Sequence, residues 1–122
     1  MKKSILLILT VLLFACTPLG NDWTFGPKIK AKVIRITCAS TVIQILDSSS
    51  YSLGVTWPVN GTSDTILNAA YVANKCEFSD NITAGNEFYF KQIPESHTRH
   101  DCMVCTLYDF PPSKGINLKV VN

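Results

Sequence analysis

Residues 28–38, KIKAKVIRITC, alternate strictly, and then the alternation changes phase. Ile29, Ala31 and Val33 are the apolar positions of the first part, set between Lys28, Lys30 and Lys32; from residue 34 the apolar positions become Ile34, Ile36 and Cys38. A period of two describes a strand with one face buried. A change of phase inside one strand requires an extra residue, so a β-bulge is predicted near Val33–Ile34. Long, bulged first strands let a small sheet bend around its core and close. The three lysines read as the solvent face of an edge strand, where lysine discourages pairing with other chains; a basic stripe facing anionic lipid or glycan is the second reading.

The same period recurs along the chain. STVIQIL at 40–46 reads as a second strand, and DSSS at 47–50 as a turn. YSLGVTW places Tyr51, Leu53, Val55 and Trp57 on one face and is stopped by Pro58. Asn60-Gly61 is the strongest turn signal in the chain. ILNAAYVANKC at 66–76 reads as a short helix near 66–70 followed by a strand. After Gly85, Phe88 and Phe90 face one way and Tyr89 the other. IPESHTRHD at 93–101 is a polar loop, CMVCTLYDF a strand, PPSKG a turn and INLKVV a final strand with Ile116, Leu118 and Val120 inward. The fold class is therefore all-β, a barrel of five or six short strands with a β-sandwich as the alternative. The long bulged first strand, the insertion near 66–70 and GNEFYF before a closing pair resemble an OB-like barrel over residues 29–122.

The chain opens with Lys2 and Lys3, followed by an uncharged run from Ser4 to Ala15. That run is too short to cross a hydrocarbon core of about 30 Å as a helix, and it fits an export leader. Leu13-Phe14-Ala15-Cys16 resembles the lipobox of bacterial lipoproteins. The resemblance implies cleavage before Cys16, acylation of its thiol, residues 1–15 as leader and 16–28 as a lipidated tether. Two or more acyl chains hold a protein firmly to a bilayer, whereas one does not. Thr17, where an Asp would favour the inner membrane in that family, implies the outer membrane. Trp23 and Phe25 in the tether are expected to cap the barrel end, with a place in the membrane interface as the second reading. The late CxxC, Cys102 through Cys105, with CASTVIQI from Cys38 through Ile45 earlier, is also similar to small cysteine-bearing envelope lipoproteins.

Loss of Lys2 and Lys3 with the leader leaves nine basic against nine acidic residues in a mature chain of 107 residues. A balanced domain lacks the electrostatic footprint of a nucleic-acid binder. The length suits one domain, which buries about two-thirds of its unfolded surface.

Five cysteines are an odd number for an exported chain. Acylation of Cys16 leaves Cys38, Cys76, Cys102 and Cys105, an even set that an oxidising compartment would pair, in any of three connectivities. HTRHDCMVC at 97–105 offers a competing reading. His97, His100, Cys102 and Cys105 are zinc-ligand types, although a strand would point the two sulfurs to opposite faces. A thiol-redox role for the CxxC is weaker, since no helix follows it. Tyr51, Trp57 and Tyr89, with Phe88 and Phe90, form a candidate aromatic face for sugars or bases, although half or more of these rings are expected in the core. Asn60-Gly61-Thr62 and Asn81-Ile82-Thr83 match the glycan acceptor pattern and read as turns. No nucleophile elbow, metalloprotease or nucleotide-binding signature occurs. The expectation is a non-enzymatic envelope lipoprotein with a membrane anchor and a protein or glycan partner, with a zinc or redox protein as the alternative.

Overall fold

The computed structural model describes residues 23–122. The expected leader, the lipobox-like stretch and Cys16 lie outside the described residues. Seven strands are present: β1 Phe25–Ile36, β2 Thr41–Ile45, β3 Val55–Pro58, β4 Thr65–Val72, β5 Glu87–Gln92, β6 Gly115–Ile116 and β7 Leu118–Val121. The all-β expectation holds. They form one sheet in the order β3-β4-β2-β1-β5-β7, antiparallel along that path, with β6 added parallel to β4. Among the described residues no helix is long and apolar enough to cross a membrane.

The register of β1 against β2 shifts between Val33 and Arg35, where the change of phase placed the bulge. Its effect is to serve two clusters from one strand. Ile29, Ala31 and Val33 enter the main core with Ile43, Ile45, Phe88 and Phe90, whereas Ile34 packs on a second cluster of Val42, Trp57 and Ala69. β1 lies between β2 and β5, so the edge-strand reading of its lysines is corrected: they are the solvent face of a central strand. The strand also takes in Phe25–Lys28, which composition had given to the tether.

Residues 66–70 are strand, not helix, because they are paired on both sides. Ala70 lies opposite Ile43 of β2, and Ala69 opposite Gln44 of β2 and Val55 of β3. Tyr51 and Leu53 leave the strand predicted for them and form a 3-10 turn, Ser48–Leu53. β3 begins only after Gly54, where any Cβ would stand 2.4 Å from the Asn68 backbone. Gly61 takes a positive φ at the predicted turn, and Gly85 does so just before β5.

The last strand is split at Asn117, and its two pieces join strands from opposite parts of the sheet. β7 adds to β5, and β6 adds to β4 through Tyr71–Gly115 and Val72–Ile116. The seam is only two pairs long, so the sheet is a partly open roll, with the facing halves of a sandwich, rather than a continuous barrel. Asn74, fully buried just past β4, extends the seam with its side chain. Its Nδ2 donates to the Leu118 carbonyl at 2.7 Å, and its Oδ1 accepts from the Leu118 N–H at 2.8 Å.

Removing that amide leaves two buried backbone groups of Leu118 unpaired, at about 1–3 kcal/mol each. Asn74→Ala is expected to lower unfolding stability by about 2–5 kcal/mol in urea titrations, with the native strand signal retained in circular dichroism.

Candidate functional site

The four cysteines after Cys16 form two bridges, Cys38–Cys105 and Cys76–Cys102. Cys38 sits in the turn between β1 and β2, and Cys76 in the 3-10 turn Lys75–Glu77 after β4. Both bridges end on one segment. Residues 98–114 contain no strand, which corrects the strand predicted for 102–110. The β-branched and apolar run has strand propensity, but its two cysteines are tied to separate turns and Pro111-Pro112 ends it. The Cys105 N–H donates to the Cys38 carbonyl at 3.3 Å.

A polar hub fixes the far end of the segment. The Asp109 carboxylate accepts from the Thr37 hydroxyl, and from the Ser40 hydroxyl at 2.8 Å. Arg35 lies 3.3 Å from it and also donates to the Asp109 carbonyl at 3.0 Å. Burial pushes the Asp109 carboxyl up, but the two hydroxyls and the Arg35 guanidinium outweigh it and hold the carboxyl below its ordinary range. The Arg35 guanidinium stands 4.9 Å from the Trp57 ring centre, and Trp57 Nε1 donates to the Phe110 carbonyl at 3.0 Å. Phe110 itself takes a positive φ of 54°.

With its backbone pinned, this segment turns its large apolar side chains outward. Met103 is fully exposed at 101%, and Val104, Leu107, Tyr108 and Phe110 are each more than half exposed. The Tyr108 and Phe110 rings meet edge to face at 4.8 Å. Five such side chains within eight residues form an apolar crest, the type of surface that marks a contact site. Sequence reasoning missed it by counting these residues as strand. The signal was an apolar run fenced by two cysteines and two prolines.

The other predicted site residues are dispersed. The metal reading is corrected: Cys102 and Cys105 are in separate bridges and have no thiolate to offer. His97 stacks on Trp23 at 3.9 Å, His100 bonds the Thr98 hydroxyl at 2.7 Å, and no group of three or more metal-ligand side chains exists among the described residues. The redox reading loses its basis too, since Cys102 and Cys105 are not bonded to each other. The aromatic face does not assemble: Trp57 is buried with its indole N–H bonded, Tyr51 is on the 3-10 turn, and Tyr89 is on β5 under Lys28. Trp23 and His97 instead wall a cleft of about 290 Å³, floored by Ile93, Leu118 and Val120.

No protein family, curated protein or solved structure matches this chain.

The outer bridge closes 67 residues and the inner one 26. Chain entropy gives about 4 and about 3.5 kcal/mol respectively. The loops are nested, so their sum is an upper bound. Cys38→Ser/Cys105→Ser is expected to lose more stability in denaturant titrations than Cys76→Ser/Cys102→Ser. A second expectation concerns acid. The folded Asp109 carboxyl titrates below its unfolded counterpart, so its contribution is complete above the unfolded value, about pH 4, and is lost as pH falls through it toward the lower folded value. Urea midpoints measured from neutral to acid pH should fall less steeply in Asp109→Asn than in the parent.

Proposed function

We propose that this protein is a non-enzymatic, lipid-anchored component of the bacterial envelope whose crest contacts a protein partner. The observation that carries the reading is the partition of the cysteines: four of the five are joined to one another in two bridges, and the fifth is Cys16 of the lipobox-like Leu13-Phe14-Ala15-Cys16. Two bridges in a small domain accord with an oxidising compartment outside the cytoplasm. A lone cysteine behind an apolar leader accords with acylation. Thr17 favours the outer membrane over the inner.

The crest supports a protein rather than a glycan as partner. Met103, Val104 and Leu107 offer aliphatic surface with no hydrogen-bonding heads, while Tyr108 adds an amphipathic ring of the type enriched at protein interfaces. The bridges hold these side chains in place before contact, which lowers the ordering cost of association.

Intact-mass analysis of the protein extracted from envelope membranes tests the anchor. The expected species begins at Cys16 and carries acyl groups, and Cys16→Ser moves the protein out of the detergent-extracted fraction. A mature form that begins elsewhere without acyl groups would falsify the anchored reading.

A further inference from the structure

The outward face of β1, β5 and β7 carries lysines in adjacent rows. Outward positions on β1 are Lys28, Lys30 and Lys32; on β5 Tyr89 lies opposite Lys30, and Glu87 opposite Lys32; Lys91 of β5 lies directly opposite Lys119 of β7. Glu87 is the only acid on these three strands, and it is 3.1 Å from Lys30. Asp47, at the margin, accepts the Lys30 backbone N–H. Lys28 donates to the Asn122 main-chain oxygen at 2.8 Å and lies 4.5 Å from the centre of the Tyr89 ring. Lys32, Lys91 and Lys119 have no ion-pair partner among the described residues. Like charges facing each other across a strand pair are unfavourable on their own. In a domain of balanced net charge, this concentration is local.

Its position relative to the anchor gives it meaning. Trp23 is seven residues beyond Cys16, and an extended tether of that length reaches at most about 25 Å. The first lysine of the face follows five residues later, on the strand that begins at Phe25. Trp23 and Phe25 are both about half exposed at that end. Exposed aromatic rings beside a basic surface suit the boundary between headgroups and hydrocarbon. The crest seats at the Trp57 and Val42 cluster, on β2, β3, β4 and the Ile34–Arg35 end of β1, beyond the last of these lysines along that strand.

We propose that the β1-β5-β7 face docks on the anionic phosphate headgroups of the bilayer that holds the anchor. The proposal rests on the lipid-anchored reading. The tether keeps the domain within reach of the surface, and the lysines then set which side faces it. Each lysine near an anionic surface contributes a factor of about five in partitioning. Lys91 and Lys119, mutually repelled in the free domain, share a phosphate layer when docked.

The test uses the purified full-length mature protein bound to vesicles of phosphatidylcholine alone or an equal mixture with phosphatidylglycerol. Lysine acetylation rates are read by peptide mass spectrometry. Lys32, Lys91 and Lys119 are expected to react at least about fivefold more slowly on the anionic vesicles, with Lys114 unchanged and the protection lost in high salt. Lys91→Glu/Lys119→Glu is expected to abolish the protection of Lys32. Equal rates on the two vesicle types, or protection of Lys32 that survives the double variant, overturn the proposal. Flotation in high salt reports the anchor separately. A protein that floats on both vesicle types without lysine protection keeps its anchor and loses the docking face. One that floats on neither in high salt, yet is protected in low salt, keeps the face and loses the anchor.

Discussion

The side chain of Asn74 stands where another residue pair of the seam would otherwise be required. β4 and β6 meet over only two pairs, and a sheet this small cannot leave its ends apart without exposing Val72, Ile116 and Leu118. The Asn74 amide presents an acceptor and a donor in the geometry of a backbone peptide and satisfies both polar groups of Leu118. It also donates to Glu77 at 3.2 Å. Glu77 in turn accepts from the Arg99 N–H. The closure of the roll and the start of the crest segment therefore meet at one turn, Asn74–Glu77, which also carries Cys76.

The crest is built the opposite way from the core. In the core, apolar side chains are held by one another; Phe90 and Ile29 need no polar help to stay where they are. In the crest, apolar side chains are held outward by covalent bridges and by a partly buried carboxylate. Asp109 is tolerable there because Thr37, Ser40 and Arg35 all meet it, and Arg35 lies against Trp57. The hydroxyls and the arginine come from the β1–β2 turn and its flanks, so the shape of that turn and the display of Tyr108 and Phe110 are set by the same contacts.

What could be read from the chain was whatever depends on alternation alone. The phase change at Val33–Ile34 marked a real bulge, the inward Phe88 and Phe90 were correctly separated from Tyr89, and Gly61 marked a turn. What could not be read depends on partners distant in sequence. Ala69 and Ala70 look helical until β2 and β3 flank them. Trp57 looks available for binding until the Phe110 carbonyl takes its N–H. The even cysteine count implied pairing, but the choice of Cys38 with Cys105 is made by the approach of two loops 67 residues apart. The zinc-like spacing at 97–105 misled for the same reason: His97 is drawn to Trp23 and each sulfur to a different turn. Cys102 and Cys105 therefore diverge although they are neighbours in the chain.

The two bridges leave the crest between different anchor points, with Cys102 fastened on one side and Cys105 on the other. A protease that severs the exposed bond between Met103 and Val104 therefore liberates nothing. The upstream fragment, which contains Cys38, remains covalently joined through it to Cys105 of the downstream piece, while Cys76 retains the cut end at Cys102. This exposed stretch can be nicked and still stay assembled. A protein built this way withstands a cut in the surface it displays without having to bury it.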